Sequence, residues 1–309
     1  MAPASLVNTR IASGVVPFQF VTAAPRRRAR IIMTAVFWLL SLLPLSWAQA
    51  LGAWLGAGAA RLPGRYGTRL QQNYLQAFPE RTLAQLQEAR RAAGRMLLEI
   101  PYFWMRNNPV EGLNIAPANF HEATDVLLAQ GKGLILLSPH LGGFELLGPL
   151  FAQRYPSTVL FKPPHRPWLR DWVERTRSRP NLAMAPATPR GVRMLVKALK
   201  RGETIGILPD QCPGGGEGDW APFFGKSAYT MNLVQRLQAL SDAPIVLVFA
   251  ERLPGARSYH IHMEVLTEPL SSDRQTAASH LNSKLEQLIA RAPEQYLWGY
   301  NRYKHPRGA

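Results

Sequence analysis

Four apolar residues in a row, Leu134-Ile135-Leu136-Leu137, lie between Gly131-Lys132-Gly133 and Ser138-Pro139-His140-Leu141-Gly142-Gly143-Phe144-Glu145. No other stretch constrains the fold as much. A short apolar run opened by glycines reads as a buried core strand. Pro139 must end it, because proline has no N–H to give to a sheet ladder. The paired glycines permit a sharp reversal, and the apolar run from Phe144 to Phe151 suits a helix packed on a sheet. A strand, a tight turn carrying a histidine and a helix with a carboxylate in its first turn predict an α/β architecture with His140 at a strand's carboxyl end. Open α/β sheets place their sites there.

His140 and Glu145 are five residues apart. On one helix such residues point about 140° apart and cannot meet. With His140 in the turn and Glu145 in the helix, the two side chains can converge. The carboxylate is then expected to accept the Nδ1 proton and leave Nε2 as a base. No serine or cysteine of the turn is placed as a nucleophile, so the attacking group has to be the substrate's own hydroxyl or amine. With 7 histidines and 20 acids in 309 residues, a histidine followed by an acid at this spacing arises about 0.4 times by chance. The strand end, not the spacing, gives the pair its weight.

The charge narrows the partners. The chain carries a formal net charge of +16 with a pI near 10.6, and 29 of its 36 basic residues are arginine. Arginine matches phosphate with a planar fork, so nucleic acid, anionic lipid and phosphorylated glycolipid all qualify. A single cysteine, Cys212, excludes an internal disulfide and a cysteine-based zinc site.

Along the chain, residues 1–30 read as a flexible basic N-terminus, residues 31–62 as a membrane-associating helical segment and residues 63–309 as the α/β domain. Ile31–Leu43 and Leu45–Ala60 carry no charge, are separated by Pro44, and are flanked by Arg26, Arg27, Arg28 and Arg30 before and by Arg61, Arg65 and Arg69 after. A secretory signal with a small-residue site at Ala48-Gln49-Ala50, one spanning helix, and a pair of helices bent at Pro44 all fit; the bent or interfacial pair is expected. Thr82–Ile100 is a predicted helix with Thr82 and Gln85 as its capping box, and Pro101 opens an aromatic patch. Helices are expected over 123–130, 144–153, 168–177, 191–200, 230–240 and 275–290. Strands are expected over 134–138, 158–161, 204–208, 244–250 and 258–265. Together they make a single mixed β-sheet flanked by helices.

A second strand, Thr204–Leu208, delivers Asp210 and Gln211 at its carboxyl end, ahead of a glycine-rich loop. That loop is no nucleotide cradle: Gly225-Lys226-Ser227 lacks the leading glycine, since position 220 is Trp. Phe161-Lys162-Pro163-Pro164-His165-Arg166 adds cations after another strand. Near the end of the chain, Arg302 and Lys304 are interleaved with aromatics, which suits phosphate or an acyl interface.

These residues together resemble the lipid A biosynthesis late acyltransferases of the wider lysophospholipid acyltransferase superfamily, from about residue 35 to 305. The resemblance rests on Ser138-Pro139-His140 through Glu145, Leu208-Pro209-Asp210-Gln211, Pro222-Phe223-Phe224-Gly225-Lys226 with Ala228 and Thr230, Asn282, Leu285-Glu286, Pro293-Glu294-Gln295-Tyr296, and Trp298 through Lys304. Where the family has Tyr-Arg-Pro, this chain has Phe161-Lys162-Pro163, which keeps the charge but not the fork. Where the family has Arg-Arg-Phe-Lys, it has Asn301-Arg302-Tyr303-Lys304. The resemblance implies transfer of a fatty acyl chain from an acyl carrier protein thioester, or from acyl-coenzyme A, to a hydroxyl of a lipid A precursor. His140 would be the base, Glu145 its orienter, and no acyl-enzyme would form. Lys162, Arg190, Asp210, Gln211, Lys226, Arg302 and Lys304 are the candidate substrate-binding residues. No metal, cofactor or nucleic-acid partner is implied, and the setting would be the cytoplasmic face of the cell inner membrane. Two alternatives remain at this point. One is an acyltransferase acting on another lipid, such as a glycosylated phosphoinositide, a lysophospholipid or an ornithine lipid. The other is a non-catalytic binder of anionic lipid.

Overall fold

A computed structural model describes residues 25–59, 64–164, 166–255 and 257–306, with side chains from Arg28 onward. The segment 1–24 and the side chains of Arg26, Arg27, Arg61 and His165 lie outside the described residues.

Strands β1 (Asn114–Ala116), β2 (Leu134–Leu137), β3 (Ser157–Phe161), β4 (Leu182–Pro186), β5 (Thr204–Ile207), β8 (Ile245–Arg252) and β9 (Ser258–Val265) form one mixed sheet in the order β1-β9-β8-β2-β5-β3-β4. Pairing is parallel from β8 through β4, while β9 runs antiparallel to β8 and parallel to β1. The all-apolar β2 is central and completely buried, as a strand covered on both faces must be. Helices α5 (Phe120–Leu128), α6 (Phe144–Ala152), α7 (Pro167–Arg177), α8 (Pro189–Lys200), α9 (Leu233–Ser241) and α10 (Arg274–Ile289) alternate with the strands around it. A separate antiparallel hairpin, β6 (Gly218–Phe223) with β7 (Lys226–Met231), packs against α10.

The hairpin corrects one expectation. The segment over 230–240 begins as strand: Thr230 and Met231 complete β7, and the helix starts only at Leu233. β1, too short to show a period, β4 and helix α3 (Arg65–Ala77) are additions to the sequence reading. Helix α4 (Leu83–Met105) begins with the expected capping box, Thr82 accepting from Gln85 N–H and Gln85 accepting from Thr82 N–H. It then runs through Pro101 to Met105 instead of stopping at Ile100. Arg179 serves that far end: its guanidinium donates to the carbonyls of Phe103, Trp104, Arg106 and Asn107. The last carbonyls of a helix have no partner within it and need such a donor.

The apolar N-terminal segment is a pair of helices, α1 (Pro25–Leu42) and α2 (Leu45–Ala59), broken at Pro44 and bent by 115°. Among the described residues no single helix is long and apolar enough to cross a membrane. Arg106 donates from Nε to the Ser41 carbonyl at 2.8 Å and closes the end of α1. Gly52 and Gly56 of α2 meet Gly94 of α4 backbone to backbone: a Cβ at Gly94 would lie 1.9 Å from the Gly52 carbonyl oxygen. One face of the pair is thereby fixed to the domain. The other face exposes Ile32, Val36, Leu39, Leu42, Trp47, Leu51, Trp54 and Leu55, from 37% to 72% accessible. A contiguous apolar surface of this kind marks an interaction site, and a bent apolar pair presenting it is consistent with membrane association.

Candidate active site

His140 and Asp210 meet because their strands are neighbours in register. β2 and β5 are parallel, with Leu137 opposite Ile207, and each side chain follows its paired residue by three positions. The two short extensions, Ser138-Pro139 and Leu208-Pro209, leave the sheet side by side. Strands in a sheet lie about 4.8 Å apart, close enough for two side chains to join.

The Asp210 carboxylate accepts twice from His140. Oδ1 lies 2.9 Å from the ring Nδ1 and Oδ2 accepts the backbone N–H at 3.0 Å. Asp210 is 2% exposed. Burial is the largest influence on its carboxyl and acts to raise the pKa. It is outweighed by the His140 charge and by hydrogen bonds from the ring and backbone of His140, which together hold the group below its usual range. An ionised Asp210 fixes the Nδ1-protonated tautomer and directs the Nε2 lone pair outward. The side-chain amide of Gln211 donates to Nε2 at 3.1 Å. The phenol of Tyr296 is buried beside Asp210, and burial together with that negative charge pushes its pKa well up, so it remains a neutral neighbour.

The turn that carries His140 is held from three sides. Gly142 has φ +59°, and a Cβ there would fall 2.0 Å from the Ala250 carbonyl oxygen, so only glycine fits. Its N–H donates to the Gln295 carbonyl at 3.1 Å, and Gly143 N–H donates to the Ala250 carbonyl at 2.8 Å. Leu297 N–H donates to the His140 carbonyl at 3.0 Å. The conformation is set by β8 and the C-terminal segment, both distant in sequence.

Glu145 is not the partner of Nδ1, which corrects the expectation drawn from spacing. It stands in the first turn of α6, and its carboxylate accepts from the Arg177 guanidinium of α7 at 2.9 Å. Glu145, Arg177, Arg179, Ser138, Ser157 and Thr204 supply the polar part of a cavity whose apolar walls include Leu136, Leu147, Phe151, Val159, Met184 and Val248. The cavity measures about 60 Å³, several times the ~10–15 Å³ that one water needs. Phe144, whose ring centroid is 4.9 Å from that of His140, belongs to the same wall, so the cavity adjoins the imidazole.

Of the expected cations, Lys162 is exposed directly after β3 and Arg190 is exposed in the first turn of α8. β3 is the parallel neighbour of β5, and β4 the parallel neighbour of β3, so both cations follow strand ends on the edge that carries His140. Lys304 is half-buried near Cys212, with its Nζ 5.2 Å from the Tyr300 ring. Burial raises the Cys212 thiol pKa although Lys304, Arg302 and Lys162 pull it down; the resulting neutral thiol is no nucleophile. Lys226 is exposed on the hairpin, 5.7 Å from the Tyr303 ring. Arg302 departs from expectation. It is 2% exposed and donates to the Tyr229 carbonyl and the Thr230 hydroxyl, both at 2.7 Å. Its guanidinium holds the hairpin to α10, where the Asn282 amide oxygen also accepts from it, and is not presented to a phosphate. Sequence reasoning missed Arg177 and the Asp210–Nδ1 bond. The parallel wording of Ser-Pro-His and Leu-Pro-Asp after two apolar strands was the available signal for the latter.

The sequence pattern of the family described as bacterial lipid A biosynthesis acyltransferase matches residues 16–305. The chain is similar to the lipid A biosynthesis palmitoleoyltransferase of Escherichia coli (strain K12), with 30% identity over 282 residues, covering 87% of this chain and 89% of that protein. It is similar to the lipid A biosynthesis lauroyltransferase of the same organism, with 28% identity over 288 residues, covering 88% and 90%. A lipid A biosynthesis acyltransferase of Haemophilus influenzae is 30% identical over 172 residues, covering 55% and 53%.

Proposed function

This chain belongs to the bacterial lipid A biosynthesis acyltransferases and is an acyltransferase acting on a lipid; on that premise we propose that it moves a fatty acyl chain from an acyl carrier protein thioester to a hydroxyl of a lipid A precursor, at the cytoplasmic face of the inner membrane, with His140 as general base and Asp210 as its orienter. The observation that carries the reading is the Asp210–Nδ1 hydrogen bond at 2.9 Å. In the neutral imidazole it holds the proton on Nδ1 and leaves the Nε2 lone pair free, at the rim of the sheet and beside a largely apolar cavity.

The acceptor hydroxyl displaces the Gln211 amide and donates to Nε2. His140 takes the proton as the oxygen attacks the thioester carbonyl, a general-base step that contributes on the order of 10²–10⁴-fold. The tetrahedral intermediate collapses, the carbon–sulfur bond breaks, and the imidazolium returns its proton to the leaving thiolate. Asp210 stabilises the transient imidazolium across the same bond. The cavity, at about 60 Å³, has room for the first carbons of the donor's acyl chain, and the Glu145–Arg177 pair forms part of its polar wall beside the reacting carbon. Lys162, Arg190 and Lys304 meet the phosphates of the acceptor. The exposed apolar face of α1 and α2 lies in the bilayer that holds it.

His140→Ala should abolish transfer while the protein stays folded and membrane-bound. Mass spectrometry of lipid A and phospholipids from a deletion strain should show the acyl chain missing from lipid A. Loss from a phospholipid or an ornithine lipid instead would move the acceptor to that class.

A further inference from the structure

Beneath the His140 turn lies an ion pair that the chemistry above does not use. Arg252 at the end of β8 and Glu99 in α4 have side chains 7% and 2% exposed, and they pair through three hydrogen bonds of 2.7–2.9 Å. Tyr259 donates to Glu99 at 2.9 Å, and Gln49 of α2 donates to it at 2.7 Å. The remaining reach of Arg252 goes to the turn: its guanidinium donates to the Gly142 carbonyl at 2.7 Å. Its backbone is clamped by Gln295, which accepts from Arg252 N–H and donates to the Arg252 carbonyl, both at 3.0 Å. The Gln295 carbonyl in turn receives Gly142 N–H.

Burying two charges costs about as much as their attraction returns, so such a pair is weak evidence for stability and is better explained by the geometry it specifies. Here it specifies the orientation of one peptide group, two residues from the imidazole. Resting on the reading of His140 as the base, we propose that Arg252, oriented by Glu99, is a positioning residue of the acyl transfer. It pins the Gly142 carbonyl inward and so keeps the His140 backbone N–H and ring aligned on Asp210. Because Gln49 belongs to α2, the same network ties the bent apolar pair to the catalytic turn.

The test uses the full-length protein in detergent micelles, with an acyl carrier protein thioester and a lipid A precursor as substrates. It compares Arg252→Met combined with Glu99→Leu, Arg252→Lys, and His140→Ala. Replacing both charges with apolar groups leaves no lone buried charge but takes the acceptor from Tyr259 and Gln49, so the double variant should fold and melt roughly 5–15 °C below the parent. Its kcat should fall about 100-fold, the scale of a 1 Å misplacement, with KM for the acceptor changed less than about 3-fold. Arg252→Lys keeps the charge against Glu99 but cannot bond the carboxylate and the carbonyl together, and should lose about 10-fold in kcat at unchanged KM. A folded double variant with parental kcat overturns the proposal. Should the double variant fail to fold, Arg252→Lys decides: full kcat overturns the proposal, and a selective kcat loss supports it. Activity surviving in His140→Ala would instead overturn the reading of the base, a result separable from either.

Discussion

Asp210→Asn separates the two carboxylates that stand near His140. In the parent, Oδ1 and Oδ2 both accept, one from Nδ1 and one from the His140 backbone N–H. An amide in the same place offers one acceptor and one donor. The backbone N–H cannot change its nature, so the amide oxygen must turn to it, which leaves the NH₂ group facing Nδ1. The imidazole can accept that bond only by moving its proton to Nε2, where the base is needed. The opposite orientation leaves two donors facing each other in a buried site, at a cost of about 1–3 kcal/mol. The expected result is the wrong tautomer and a kcat loss on the order of 10⁴-fold, about 5 kcal/mol of transition-state stabilisation. Folding stability should fall by only about 2 kcal/mol, the size of a charge-assisted hydrogen bond. Steady-state transfer of labelled acyl chain gives kcat, and ¹⁵N shifts of His140 identify the protonated nitrogen. Glu145→Gln is the companion. It leaves Nδ1 paired but weakens the hold on Arg177, and should cost no more than about 100-fold. An Asp210→Asn protein keeping a tenth of parental kcat, beside an inactive Glu145→Gln protein, would refute the assignment of Asp210 as orienter.

Acid should act through the same carboxylate. The folded pKa of Asp210 is depressed, so its contribution is fully present above the unfolded value of about 3.9 and is lost as pH falls through the lower folded value. Urea melts of parent and Asp210→Asn should therefore differ by a constant amount above about pH 5 and converge below pH 4. Trp47 and Trp54 are 67% and 72% exposed on α2; replacing both with serine should leave the melting temperature intact and lower vesicle affinity at least about 100-fold in a flotation assay, at roughly 1.5–3 kcal/mol for each large apolar side chain. Gly94→Val should separate α2 from α4, since the first added carbon already meets the Gly52 carbonyl, and should cost on the order of 1–3 kcal/mol in a urea melt.

What could be read from the chain in advance was whatever is local. β2 announced itself by four apolar residues between glycines, the α4 start by Thr82 and Gln85, and the break between α1 and α2 by Pro44. His140 was legible because proline and glycine fix a turn within a few residues of it. Its partner was not, because partnership is a matter of sheet order. Nothing near His140 says that β5 lies beside β2, with β3 one strand further out, and that adjacency is what brings Asp210 into contact. The spacing argument favoured Glu145 because it considered only residues the turn could reach along the chain, and the helix in fact carries that carboxylate to Arg177. Arg302 was misplaced for a related reason. Its charge was visible but its burial was not, since the groups that satisfy it belong to β7 and α10, far away in sequence. On the proposed reading, strand-end loops supply the chemistry in this fold, and residues of β8, α4 and α2 hold those loops in place. A search for the determinants of activity in this chain should therefore follow the hydrogen bonds that end on the Gly142 peptide, which lead to Arg252, Glu99 and Gln49, residues that no local pattern singles out.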